Sequence, residues 1–194
     1  MNVKGCIMEL LKSTDSLLRQ KCQPFDFETG YTLSDGTHLT AIELFEVLRD
    51  TMCANRGIGL SASQLGIMTC AFVIGNPSDP SSVISIFNPS IVDASDSVEV
   101  YEEGCLSFPG LFLKVKRPIT IRVRYTNYSG STDTIQFDGL TARGFQHEYD
   151  HMNGILFTNR ANPYHIDLAR RQLKKLNKLR NNKLNKLSKA ITTA

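Results

Sequence analysis

Paired cysteines are missing from this chain. Its five cysteines, at positions 6, 22, 53, 70 and 105, are odd in number, dispersed and free of any Cys-x-x-Cys pair. That excludes a disulfide framework and points to a reducing compartment. Long apolar runs are also missing: the longest, such as CAFVIG, are far too short to span a bilayer. The opening MNVKGCIMELLKSTDS has neither an apolar stretch of secretory length nor Arg-rich transit character. There is no internal repeat. These absences predict a soluble, cytoplasmic protein without a membrane partner. What is present suits one globular unit: 194 residues, 41% of them hydrophobic, enough for a sizeable core. The net charge of +3 conceals an asymmetry, because residues 164–194 carry nine Lys/Arg against the single acid Asp167. A basic appendage of +8 follows a body of −5, a pattern that suits a polyanionic partner.

Hydrophobic spacing gives a coarse element list. ELLKSTDSLLRQKC reads as loosely helical, ending before Pro24. Thr37 or Thr40 is placed to cap a helix through AIELFEVLRDTMCANR, stopped by Gly57. CAFVIG and VISIFNPSIV read as strands around the turn cluster NPSDPSS, VEVYEE as a further strand, and PITIRVRYTN and TDTIQF as two more around YSGS. Asp138-Gly139 opens a helix carrying FQHEYDHMNGILF, with Gly154 near its end, and a last helix fills the tail. The expected class is α+β: short antiparallel or mixed strands packed around a central motif-bearing helix, with a C-terminal helix.

The chemistry starts with His147, Glu148 and His151. Four residues advance a helix by about 400°, so both imidazoles share one face and can converge on one cation. Glu148 lies about 100° round from His147, where a general base for a metal-activated water belongs. The apolar flanks Phe145, Met152, Ile155, Leu156 and Phe157 predict burial, and buried His and Glu need partners or a metal. A third ligand is required. In H-E-x-x-H-x-x-G-x-x-H the last histidine would fall at Phe157, which cannot ligate, and no Glu follows Glu148. His165 and Asp167 are the downstream candidates. The better one is upstream: Cys105, in EEGCLSFPG, which with two histidines leaves a fourth position for water. Cys53 and Cys70 are expected to be ordinary buried residues. In GIGLSASQLG the glycines permit close backbone approach, and Gln64 is a neutral donor able to polarise a carbonyl.

GIGLSASQ at 57–64, EGCLS at 103–107 and HEYDH at 147–151, in that order, resemble the three motifs of the peptide deformylases, over residues 1 to about 160. The resemblance implies a metal-dependent hydrolase that removes the formyl group from N-formylmethionyl nascent peptides, releasing formate. It implies that Cys105, His147 and His151 hold one divalent metal, usually Fe(II), with Zn(II), Ni(II) or Co(II) able to replace it. Glu148 would be the base, and Gln64 with the Leu106 backbone N–H would stabilise the oxyanion. Ile58, Gly59, Leu60, Tyr101, Glu103, Gly104, Leu140 and Arg143 would contact substrate, with Ile58, Tyr101, Leu140 and the aliphatic part of Arg143 walling an apolar pocket for methionine. Ser61 and Met152 are mild variants of the family pattern, and GLFL, with Phe112, stands where many members carry a basic residue.

The expected organisation is a catalytic domain over 1–163 and a basic amphipathic helix over 164–194. Six leucines between Leu168 and Leu187 share one side of that helix, with Arg170, Arg171, Lys174, Lys175 and Lys178 mostly opposite. The expectation is docking on the body through the leucines, with ribosome association through ribosomal RNA as the use of the charge. Bacterial cytoplasm follows, including a phage-encoded protein acting there. Two rival readings stand beside this one. One is a zinc peptidase, and the other a nucleic-acid-binding protein whose cysteine and histidines form a structural site.

Overall fold

The computed structural model describes the backbone of residues 6–192, and the side chains of residues 6–182, 184 and 185. Nine strands and four α-helices follow one another: β1 Tyr31–Thr32, β2 His38–Leu39, α1 Ala41–Ala54, β3 Gly59–Ser61, β4 Ala71–Ile74, β5 Ile84–Ala94, β6 Val98–Gly104, β7 Phe112–Pro118, β8 Thr120–Thr126, β9 Thr132–Asp138, α2 Gly139–Met152, α3 Phe157–Arg160 and α4 Pro163–Thr192. The main sheet is five-stranded in the order β3-β4-β5-β8-β9, and β1-β2 and β6-β7 form two ribbons. All named pairings are antiparallel.

Of the two threonines, Thr40 caps α1. Its side chain accepts from the Glu43 N–H while the Glu43 carboxylate accepts from the Thr40 N–H at 2.9 Å, a reciprocal capping box. Helix α2 carries an apolar stripe of Ala142, Phe145 and Met152 into a cluster with Phe72, Ile86, Ile121 and Val123 from the main sheet. Phe145 meets Phe72 edge-on at 5.1 Å between centroids. The helix lies against β3, β4, β8 and β9 on that side and against β7 of the ribbon on the other. Both faces are therefore covered, and any polar group on α2 must find its partner inside the protein.

Four points differ from the sequence reading. Residues 9–22 are not a helix; within them only Leu17–Arg19 forms a 3₁₀ turn. The Ser13–Ser16 stretch favours local bonding: Asp15 accepts from the Leu17 N–H at 2.9 Å, and Arg19 donates to the Asp15 and Ser13 carbonyls. The segment is instead a strap, tied by the Leu11 N–H to Gln64 O at 2.8 Å and by the Cys22 N–H to Met152 O at 2.8 Å. Strand β7 covers Phe112–Pro118, of which 112–117 are unassigned from sequence, and alternates exposed and buried from Phe112 to Arg117. Among the described side chains, helix α4 docks by its first turns only, where Ile166, Ala169 and Leu173 pack on the cluster around Phe108, Leu111 and Phe157. Leu168, Leu176, Leu179 and Leu184 are exposed. Lys183, Lys186, Leu187 and Lys189 lie outside the described side chains. Cys53 and Cys70 are half-buried rather than enclosed.

Candidate metal centre and reaction cavity

The end of β6 faces α2, and that brings Cys105 to the two histidines. Single ligand atoms of Cys105, His147 and His151 all lie within 4.8 Å of one another, with Cys105 Sγ 3.3 Å from His151 Nε2. No fourth His, Cys, Asp or Glu joins the cluster among the described residues. Phe157 packs against the His147 ring at 5.7 Å between centroids, and His165 and Asp167 are exposed on α4. The downstream candidates are thereby removed.

Each ligand is held from behind. His147 donates from Nδ1 to Glu103 Oε2 at 3.1 Å, which leaves Nε2 for a metal. Glu103, buried, is gripped by Arg117 at 2.7 and 2.9 Å and by Arg143 at 2.7 Å. Arg117 also donates to Asp150 at 2.7 Å, and Arg160 closes the chain on Asp150 at 2.6 and 3.0 Å. Burial alone would raise the Glu103 carboxyl. The His147 and Arg117 hydrogen bonds outweigh it and bring its pKa to about 2. Burial likewise opposes a charged His147, but bonding to Cys105 and Glu103 prevails and lifts it to about 10. His151 is driven the other way, well below its ordinary value, by burial and by the charge of His147.

Glu148 follows His147 into the cavity, where burial lifts its carboxyl to about 7. A Cβ on Gly59 would lie 2.6 Å from Glu148 Oε1, so Gly59 makes room for a carboxyl of its own chain. Glu148 Oε2 and His151 Nδ1 are buried without a hydrogen-bond partner. An unsatisfied carboxylate oxygen beside one thiol and two imidazoles is the donor set of an open first-row metal site, and the residues fit a divalent ion. Gln64 is fixed by its own backbone turn, the Ser61 N–H donating to Oε1 at 3.0 Å. Its amide group therefore faces Ser107 Oγ at 3.2 Å and Cys105 Sγ at 3.5 Å. Leu106 is the second residue of the turn closed by the Phe108 N–H on Cys105 O, and its side chain lies 2.7 Å from where a Cβ on Gly57 would be.

These groups open into a cavity of about 560 Å³ whose lining includes Ile58, Tyr101, Leu140, Arg143, His147 and Glu148. Ile58 and Leu140 are 59% and 61% exposed, so they belong to an open apolar wall and not to the core. Gly59, Glu103 and Gly104 line the cavity too. Leu60 does not: its side chain is fully buried in the cluster with Leu48, Met52 and Val73, as alternation along β3 requires. Arg143 is itself buried, its guanidinium also donating to the Val115 and Glu99 carbonyls.

A family model for polypeptide deformylase matches residues 7–166. The chain belongs to the peptide deformylase family. It is 41% identical over 162 residues to a peptide deformylase of Thermotoga maritima, covering 82% of this chain and 90% of that one. It superposes on a crystal structure of a peptide deformylase from Legionella pneumophila with a TM-score of 0.77 and 34% identity, over 91% of this chain and 98% of the other. A Met-Ala-Ser-bound class I type b deformylase from Acinetobacter baumannii gives 0.69 at 28% identity, over 80% and 99%. This deformylase-family chain thus carries the metal-site residues of a metal-dependent hydrolase on α2 and at the end of β6.

Sequence reading missed Arg117, Asp150 and Arg160, and did not assign Glu103 to His147. A signal existed for one of them. Arg117 continues the inward phase of Leu113 and Val115 on β7, and a cation in a core register requires a buried anion.

Proposed function

We propose that this chain hydrolyses the formyl amide of N-formylmethionyl peptides, yielding formate and a free N-terminal amine. The observation that carries the reading is the convergence of Cys105, His147 and His151, with Cys105, His147 and Glu148 lining one apolar-walled cavity. A divalent ion held by those three residues would supply Lewis acidity and lower the pKa of water at the site. Glu148 takes the proton from the attacking water and returns it to the departing amine nitrogen, a task suited to a carboxyl lifted toward neutrality. Charge developing on the formyl oxygen is met by the Gln64 amide group and the Leu106 N–H. Gly59 and Gly104 border the path of the peptide backbone, and Ile58, Tyr101, Leu140 and the stem of Arg143 receive the methionine side chain. Bonds and protons balance: one C–N bond breaks, one C–O bond forms, and water supplies both hydrogens.

Iron(II) is the proposed resident ion, and zinc, nickel and cobalt suit the same thiolate and imidazole donors. The chain is proposed to comprise a catalytic domain, 1–163, and a basic helix, 164–194. That helix serves association with ribosomal RNA in a bacterial cytoplasm, whether the chain is the bacterium's own or phage-encoded. Among the described residues no helix is long and apolar enough to cross a membrane. Formate release from formyl-Met-Ala-Ser by protein loaded anaerobically with Fe(II) tests the reaction, beside a Glu148→Ala control. Release abolished in the control supports it, and no release by a folded, metal-loaded parent defeats it. Unchanged ribosome co-sedimentation after deletion of 164–194 would remove the tail's assignment.

A further inference from the structure

Helix α1 ends on an unusual residue. The Gly57 N–H donates to Met52 O at 3.0 Å and the Arg56 N–H to Cys53 O at 3.0 Å, which puts Arg56 at the left-handed position of the helix terminus, φ +55°. Glycine is the ordinary occupant there, because a Cβ is disfavoured in that conformation. Arg56 is nevertheless exposed and lines the reaction cavity with Cys105, Leu106, His147 and Glu148.

The other charges of that lining are differently placed. Glu103 and Arg143 are buried against each other at 2.7 Å, Glu148 is buried at the reaction centre, and Glu102 stands in register with Lys114 across the β6–β7 ribbon. Arg56 has no hydrogen bond or ion pair through its guanidinium among the described residues. A disfavoured backbone conformation kept at a ligand cavity points from geometry to use, and an unpaired guanidinium is built to take a carboxylate.

We infer that Arg56 is a specificity-determining residue that selects substrates bearing a carboxylate shortly after the formylmethionine. This rests on the deformylase reading above. The carboxylate has two sources: an Asp or Glu side chain in the second or third residue, or the α-carboxylate of a very short peptide.

The experiment compares kcat/KM for C-terminally amidated formyl-Met-X-Ser and formyl-Met-Ala-X peptides, X being Asp, Asn or Lys, with the free-acid forms alongside. At low salt the parent prefers Asp over Lys by about two- to fivefold, the range of an exposed ion pair, mainly through KM. Arg56→Gln and Arg56→Gly bring the ratio to about one, Arg56→Lys keeps it, and about 0.5 M salt erases it. Preference for free acid over amide, with no side-chain preference, assigns the contact to the α-carboxylate. Arg56→Gly also melts at or above the parent's temperature, which separates lost selectivity from lost folding. Equal Asp-to-Lys and acid-to-amide ratios in parent and Arg56→Gln overturn the inference alone. A parent that releases formate from none of these peptides overturns it together with the proposed function.

Discussion

Helices α2 and α4 invert the usual relation between polarity and burial. Ten of the fourteen residues of α2 are buried, and Arg143, Gln146, His147, Glu148, Asp150 and His151 are among them. Along α4, by contrast, Leu176 and Leu179 are 62% and 58% exposed. The difference is coverage. Helix α2 lies between the main sheet and the β6–β7 ribbon, so nearly every polar atom on it is matched by Glu103, Arg117, Arg160 or a backbone carbonyl. The two unmatched atoms, on Glu148 and His151, belong to the reaction centre. Among the described side chains, helix α4 finds apolar cover only at Ile166, Ala169 and Leu173. Polar groups are tolerated inside when satisfied, and apolar groups remain outside when the fold offers nothing to cover them.

The sharpest way to break the comparison is Arg117→Met, which leaves Glu103 and Asp150 buried without the cation between them. A loss of about 3–5 kcal/mol in urea unfolding is expected, and a loss near zero would show that water reaches the network. Gly59→Ala comes next. Its φ is ordinary, so the damage is confined to Glu148, and kcat should fall about 100-fold with melting temperature little changed. The pH dependence follows. Glu148 must be ionised to accept a proton, so activity falls as pH drops through its ionisation. That limb lies between 4.5 and about 7, the lower part if the bound cation stabilises the carboxylate. In the metal-free protein the sign is opposite for stability. A carboxyl raised in the folded state contributes fully below pH 4.5, and the contribution is lost as pH rises through about 7. Glu148→Gln should therefore be the more stable protein at pH 8 without metal. The smallest effect is expected on α4: Leu179→Ser should change unfolding free energy by less than about 0.5 kcal/mol, and Leu173→Ala, at the docked turn, by more.

Much was legible in the one-dimensional pattern where a rule is local. A threonine cap on α1, narrowed to Thr37 or Thr40, the strands on either side of NPSDPSS and YSGS, and the single face shared by His147 and His151 follow from side-chain spacing and turn chemistry. Leu168, Leu176, Leu179 and Leu184 misled because periodicity reports a stripe and not what covers it. Residues 9–22 misled for a related reason: their apolar residues pack individually along a strap, and Asp15 bonds the backbone in a way that competes with a helix. Strand β7 was hidden by its charge, since Lys114, Lys116 and Arg117 obscure the alternation of Leu113 and Val115.

The sequence by itself determined the chemical parts: two imidazoles one turn apart, a carboxyl beside them, a cysteine before a turn and a glycine-rich segment bearing Gln64. It did so because spacing along a helix or strand is a property of the backbone. Tertiary structure alone decided the rest. It chose Glu103 as the partner of His147, Arg117 and Arg160 as the counter-charges, and Glu148 as the occupant of the space at Gly59. It also placed Arg56 at the cavity. Those assignments depend on which elements meet, and on the dehydration their meeting imposes, across distances that no local pattern encodes.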